Sequence, residues 1–466
     1  MSEHQHRFHK ILRAREVVTL AFGAMVGWGW VLMSGVWIQH AGSIGTLIAF
    51  LCGGIAIGFI AITYAELASA LPKAGGEHVY THRALGPAAS FVCTWALLMA
   101  YATVCLFESV ALPTAIEYLL PSIRMGSLWH ILGSEVDIGF VLIGVGSAIL
   151  MTVINIFGIR FAAMIQTIVT ALIFLAGTTL IVGAAANTEN LLLNPPVAIP
   201  ISGILVVLIM VPGMLVGFDV IPQSAEEIDL PARKIGILLI ASLVLAVLWY
   251  AGISFAVSIT IPPAELATST IATADAASRA WNHPSAGVLL VIGGIGGILT
   301  SWNAFIIGGS RVLFALSESG FLPSAFGKLH PKYKTPWVGV VALGMAACIS
   351  PFFGKTVLTW LINTGSFAVV LAFLFVPVAF LALRKKEPSL NRPFSVPWPR
   401  AVGITAIILG ITLFSLYLPF SPSALIWPYE WGLVILWALL GAIVFLNYRK
   451  TKKQRTQELA YKTDLK

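Results

Sequence analysis

The chain has 466 residues, of which 58% are apolar and only 10% charged, and its formal charge is +8. A soluble protein carries about 25% charged residues, so this chain could not clothe a water-facing surface; a soluble enzyme, a nucleic-acid-binding protein and a disordered chain are excluded. A polytopic membrane protein remains, and its basic residues sit in short runs between apolar stretches, where they serve topology.

Residues 1–16 are polar, carry Arg7, Lys10, Arg13 and Arg15, and have no small-residue cleavage pattern, so no removable signal is expected. A helix that crosses the hydrocarbon needs about 20 mostly apolar residues. Twelve such stretches are expected, at 17–37, 44–70, 88–112, 136–156, 161–184, 201–222, 235–259, 286–316, 336–353, 357–381, 402–418 and 429–446. Each must satisfy its own backbone as a helix in lipid. A β-barrel would instead show strands of about ten residues with alternating polarity. Two connections are long: 187–200, rich in Asn and Pro, and 262–284, expected to hold one amphipathic helix over 265–281. The charged tail 449–466 is expected to fray.

Of the 28 lysines and arginines, 25 fall on one side of this arrangement, and only Arg124, Arg279 and Lys355 on the other. The positive-inside rule then places both termini in the cytoplasm. Cys52, Cys93, Cys105 and Cys348 all lie within apolar stretches, so neither disulfides nor a thiolate metal site is expected. The nine histidines lie at the amino end, in loops or near span ends, which argues against a buried histidine metal site.

Span 1 contains Gly23, Gly27, Trp28, Gly29 and Trp30. Glycine costs a helix interior roughly 1 kcal/mol against alanine, although Gly23-xxx-Gly27 alone also suits a helix-packing face. Span 6 reads Val211-Pro212-Gly213-Met214-Leu215-Val216-Gly217-Phe218-Asp219, where proline removes a backbone donor and two glycines follow. Two interruptions at corresponding positions are the sequence pointer to a transporter's binding site. Half-helix amino ends offer N–H groups and positive dipole to an anion, and unwound carbonyls can hold an ammonium or a cation.

The chain resembles the amino acid–polyamine–organocation permease superfamily. The resemblance rests on Gly27-Trp28-Gly29, on the run from Tyr64 and Glu66 to Gly75-Gly76-Glu77, and on Arg83 to Gly86-Pro87. Further support comes from Gly217-Phe218-Asp219 with Ala225-Glu226-Glu227, and from Arg311 leading to Ser319-Gly320 and Pro323. These motifs run in the expected order over about residues 15–450. The resemblance implies an all-α membrane protein of twelve transmembrane helices. Residues 17–184 (spans 1–5) and 201–381 (spans 6–10) would form a five-plus-five inverted repeat with discontinuous helices 1 and 6. Residues 382–448 would add two helices, 185–200 an extracellular loop, and 1–16 and 449–466 cytoplasmic ends. The sequence departs from the family pattern at three points: Trp28 stands between the glycines of the first break, Ile173 stands where proton-coupled relatives carry a lysine, and the span 6 aromatic position aligns near Gly213.

Ionisable residues inside a membrane are functional candidates. Glu66, near the inner end of span 2, suits packing and loop anchoring, and Arg311 suits anchoring or an acidic partner. Asp219 reads either as a cap for the second half of span 6 or as a proton site. Glu108 is the most informative: it lies in span 3 on a helix face shared with Tyr101 and Cys105, and a buried carboxylate must be paired or protonated. It could bind an ammonium or carry the coupling proton; snorkelling outward and structural hydrogen bonding are the plainer alternatives. In span 8, Thr300 and Ser301 could ligate sodium or bond their own helix, and Phe305 falls near a family pocket position. Trp28, Trp30, Trp302, Phe305 and Tyr101 would give a pocket an aromatic character attractive to a cation, unless they serve bulk packing.

The candidate substrate site therefore comprises Gly23, Val26, Gly27, Trp28, Gly29, Tyr101, Cys105, Glu108, Gly213, Met214, Leu215, Val216, Gly217, Asp219 and Phe305, with Glu108, Asp219, Thr300 and Ser301 as ion-coupling candidates. The expected function is secondary active transport of a small amino acid by alternating access, driven by protons or by exchange, without cofactor, metal or covalent chemistry. The expected partners are substrate, coupling ion and the lipid bilayer. Alternatives are an amine or organic-cation carrier reading the ammonium through Glu108 and aromatic rings, a non-transporting membrane sensor, and a membrane enzyme. No attached signalling domain and no clustered His, Asp or Ser set supports the last two.

Overall fold

The computed structural model describes residues 8, 10–131, 134–157, 159–186 and 201–464. The expected loop 187–200 and most of the amino-terminal segment lie outside the described residues. The chain is overwhelmingly helical. Its order is α1 (Ala14–Met25), α2 (Gly29–Ala70), α3 (Glu77–Leu85), α4 (Pro87–Leu119), α5 (Ile138–Ile156), α6 (Ile159–Ala186), α7 (Ile201–Leu215), α8 (Val220–Gln223), α9 (Ala232–Thr260), α10 (Pro263–Leu266), α11 (Ala272–Ala280), α12 (Pro284–Glu318), α13 (Trp337–Ile349), α14 (Val357–Lys386), α15 (Pro399–Ser415) and α16 (Tyr429–Asp464). Among the described residues, nine helices are long and apolar enough to cross a membrane, and two shorter apolar helices accompany them.

Local chemistry sets several boundaries. Pro87 and Pro284 occupy first-turn positions of α4 and α12, where a missing N–H costs nothing. Asp137 caps α5, accepting from the N–H groups of Gly139 at 2.7 Å and Phe140 at 3.3 Å. The helix α2 holds the second half of the first expected span and all of the second, without a loop between them; they meet at a kink where Gly42 has φ +71°.

The burial pattern is that of a membrane protein. Leu142, Ile149, Ile168, Leu175, Leu248, Ile408 and Leu439 are exposed on the outside of their helices, while Glu108, Asp219, Asn303 and Arg311 are buried within. Apolar surface on this scale is stable only against lipid. The central helix α12 is buried on nearly all sides, whereas α16 leaves most of its apolar length outward.

Three elements differ from expectation. The tail from Arg449, expected to fray, continues α16 as helix to Asp464. Ser127–Ile131 and Ser134–Asp137 pair as an antiparallel hairpin, β1 and β2, in a chain expected to be all helical. The expected amphipathic helix over 265–281 is two short helices, α10 and α11. Between them the Thr268 hydroxyl donates to the Glu265 carbonyl at 3.1 Å, the kind of local bond that competes with helix continuation.

The basic face of the molecule is tied by ion pairs. Glu66 accepts from Arg384 Nε at 2.8 Å and meets Arg392 at 3.1 Å, and it also accepts from the Val396 N–H at 2.8 Å. This anchors the 384–396 loop to the end of α2. Arg311 in α12 donates from Nη2 to Glu227 Oε1 at 2.7 Å, with both side chains only 3% exposed. The backbone around Glu227 is held in turn by the amino-terminal segment: Ile11 and Leu12 donate to the Glu227 carbonyl at 2.9 Å, and Asp229 donates to the Leu12 carbonyl at 2.8 Å. Arg311→Ala strips the cation from a buried carboxylate, which typically costs about 3–5 kcal/mol. The expected result is a clear fall in the thermal unfolding midpoint of the purified protein; an unchanged midpoint would show that the pair does not hold this face together.

Candidate functional site

The two expected interruptions are present and lie against each other. The first runs from Val26 to Trp28, between α1 and α2. The second runs from Val216 to Asp219, between α7 and α8. It starts later than the sequence suggests: Pro212 and Gly213 remain helical, and the Val216 N–H still donates to the Pro212 carbonyl at 2.9 Å. The chain unwinds at Gly217, whose φ of +134° few side chains tolerate. A Cβ there would stand 2.7 Å from Ala24 Cβ and 2.8 Å from the Met25 nitrogen. The two breaks touch through this position.

Beside them lies a cavity of about 50 Å³, walled by both breaks and by α4, α9, α12 and α14. That volume holds roughly three or four water molecules, so a ligand must be small or must push the walls apart. Of the expected substrate residues, Gly27, Trp28, Gly29, Glu108, Gly213, Met214, Val216 and Phe305 line it, and so does Ser301.

Among the described residues, Glu108 is the only carboxylate on the wall. It is 2% exposed, and its Oε2 has no hydrogen-bond partner. Its other side faces the Ser301 hydroxyl and the backbone N–H of Trp28. Gly27 allows this approach, because a Cβ at that position would lie 2.6 Å from Glu108 Oε1. No ion pair to Glu108 occurs among the described residues. A buried carboxylate in an apolar wall with one free oxygen attracts a cationic group.

The remaining expected residues do not line the cavity. Gly23 faces Thr300 and Thr170 on neighbouring helices. Val26 and Leu215 are fully or nearly fully buried beside the breaks, and Gly217 is spent on the contact with Ala24. Cys105 is buried near Glu108. Tyr101 packs edge-on to Phe305 at 5.2 Å and donates its hydroxyl to Asp219 at 2.5 Å. Asp219 does not cap α8 forward through its side chain; it accepts backward from the Gly217 N–H at 2.7 Å and so holds the break in shape. Thr300 donates to Gly297 in its own helix at 3.1 Å. Trp30 packs on Trp249 at 5.5 Å, outside the cavity.

Several wall residues were not expected. Thr103, Val104 and Phe107 share the Glu108 face of α4. Continuing the helical period back from Glu108 through positions 104 and 103 would have found that face, which is rotated from the one carrying Tyr101 and Cys105. Tyr250 and Ser366 also line the cavity. The Tyr250 hydroxyl donates to the Met25 carbonyl at 2.6 Å, which satisfies an acceptor freed by the first break. Ser366 Oγ is buried without a partner.

A helical membrane protein with two adjoining broken helices beside a small central cavity that holds one buried carboxylate is built as a small-solute carrier. The sequence comparisons agree: residues 14–445 match the family described as amino acid permease, so the chain belongs to that family, within the amino acid–polyamine–organocation superfamily. It is 27% identical over 455 residues to the branched-chain amino acid permease BcaP of Bacillus subtilis, covering 96% of this chain and 94% of that one. It is 26% identical to the methylthioribose transporter of the same organism, covering 95% and 94%. It is 25% identical to the serine/threonine exchanger SteT, also of Bacillus subtilis, covering 93% and 96%.

Proposed function

We propose that this chain is a secondary active transporter for a small amino acid in the cell membrane, with both termini in the cytoplasm. Its fold is read as twelve spans: a five-plus-five inverted repeat with helices 1 and 6 broken, followed by two further helices. The paired breaks, the kink that joins two spans in α2 and the short apolar helices α13 and α15 support that count. The observation that carries the functional reading is the unpartnered Glu108 Oε2 on the wall between the breaks. The substrate's ammonium would sit against this oxygen, with Phe305 and Val216 beside it. The free N–H groups near Gly27 and Gly29 would take the carboxylate. Alternating access then follows from rocking the broken helices against α4 and α12, driven by a proton gradient or by exchange.

One observation favours the second reading, an amine carrier that needs no substrate carboxylate. Glu108 itself faces the Trp28 N–H, so part of the anion-binding end of α2 is already occupied by the protein's own carboxylate. Thermal-shift titration with amino acids and their decarboxylated amines separates the two. A ligand at a hundredfold its Kd adds about 2.7 kcal/mol to stability. Stabilisation by an amino acid but not by its amine supports the amino acid reading, and the reverse supports the amine carrier. No response to any amino-containing compound would contradict both.

A further inference from the structure

Beneath the cavity, on the basic face, lies a second buried carboxylate that the substrate site does not use. Glu77 is the first residue of α3, and it is fully buried. It sits outside the membrane-crossing helices, at the inner end of the bundle, yet it makes no ion pair among the described residues. The Gln223 side-chain amide donates to its Oε2. Its Oε1 makes no hydrogen bond but has the Tyr64 hydroxyl beside it, and the Tyr80 hydroxyl and Gln223 Oε1 are likewise buried without a hydrogen bond.

Among the described residues, the groups whose charge or hydrogen bonds act on Glu77 are acidic or neutral. They are Tyr64 from α2, Tyr80 from α3 itself, Cys93 and Tyr101 from α4, Asp219 from the second break and Gln223 from α8. The basic groups nearby are engaged elsewhere: Arg83 pairs with Glu387, and Lys386 donates to the Ala84 carbonyl. His78 turns away, to Thr94 at 2.9 Å and Ser319 at 2.6 Å. Two carboxylates in one low-dielectric site do not both stay ionised. Asp219 holds two donors, the Gly217 N–H and the Tyr101 hydroxyl, which fix it as the anion. Glu77 keeps Oε1 without a hydrogen bond, beside the Tyr64 hydroxyl, and that free oxygen is where a shared proton sits. Burial, and then the negative charge of Asp219, push the Glu77 carboxyl well above the usual carboxylate range.

We propose that Glu77 is the proton-binding site of this transporter, reached from the cytoplasmic face and coupled to substrate through Gln223 and Asp219 at the second helix break. The step is a simple protonation: a proton from bulk water joins Oε1, and the neutral carboxyl O–H then donates to the Tyr64 hydroxyl oxygen or to Gln223 Oε1. Ionised Glu77 accepts from Gln223 at the end of α8; protonated Glu77 competes for the same amide as a donor. Loading the proton therefore changes how α8 is tied to α3. The substrate site feels this through Asp219 and Gly217, which shape the break that walls the cavity.

The proposal rests on the transport reading above, and the test separates the two. Purified protein in liposomes is given a radiolabelled mixture of the twenty amino acids. Uptake is measured with an inward proton gradient and, separately, as counterflow at equal pH. Wild type should accumulate label with the gradient and lose it on adding a protonophore. Glu77→Gln should lose at least tenfold of that accumulation while keeping counterflow within about twofold. Gradient-driven accumulation by E77Q equal to wild type, or exchange in wild type that ignores the gradient, overturns the proposal. If wild type moves no label in either mode, the amino acid reading fails, and Glu77 is then read directly. A pH-jump infrared difference spectrum of wild type should show a protonated-carboxyl band that Glu77→Gln removes and that Tyr64→Phe shifts. A band unchanged in both variants overturns the proposal. Tyr64→Phe also serves if Glu77→Gln does not fold.

Discussion

Glu108→Gln is expected to weaken substrate binding roughly 10- to 150-fold while leaving the fold intact. The glutamine has the same shape but cannot offer a full negative charge to an ammonium. A hydrogen bond to a charged group contributes about 1.5–3 kcal/mol, and each 1.4 kcal/mol is tenfold in Kd. The unliganded variant should be no less stable than wild type, because it no longer carries an isolated charge in an apolar wall with one oxygen unpartnered. Thermal-shift titration of wild type and variant with the same ligand measures both effects. An affinity unchanged by E108Q would remove Glu108 from the binding site and with it both functional readings.

Gly217→Ala is expected to damage stability and transport together. At φ +134° an alanine is strained, and such strain costs about 1–3 kcal/mol. Its Cβ would also stand 2.7 Å from Ala24 Cβ and 2.8 Å from the Met25 nitrogen, and overpacking of that kind costs about 1–3 kcal/mol more. Relief requires the two breaks to separate, which would open one wall of the cavity and pull the Gly217 N–H from Asp219. The variant should unfold at a clearly lower temperature and take up no substrate in liposomes. Wild-type stability and uptake would show that contact between the breaks is not needed.

The membrane architecture could be read from the chain because lipid imposes one rule over every span: about 20 apolar residues folded as helix. The regions of both breaks were legible for a related reason, since glycine clusters and a mid-span proline are poor helix interiors. Their fine placement was not. Pro212 attracts attention, yet it stays helical, while Gly217 unwinds because Ala24 and Met25 approach it from the other break, a tertiary fact with no local signature. Asp219 illustrates the same limit. Its position after a glycine suggests a forward cap, but Tyr101 and the Gly217 N–H draw its carboxylate back toward the break. Glu108 stood out because an acidic residue in a span is rare. The residues around it depended on which face of α4 turned inward, and Tyr101 and Cys105 lie one step around the helix from the cavity-lining Thr103, Val104 and Phe107. Ser366 and Tyr250 reach the site from helices with no break or charge to mark them.

The central claim is that cargo binds in the cavity between the two broken helices, with its cationic group on Glu108. A structure of the protein with the amino acid or amine that stabilises it most would test this directly. The account predicts ligand density walled by Gly27, Val216 and Phe305, with a nitrogen within hydrogen-bonding distance of Glu108 Oε2. Ligand bound elsewhere, or two continuous helices in place of the breaks, would contradict it.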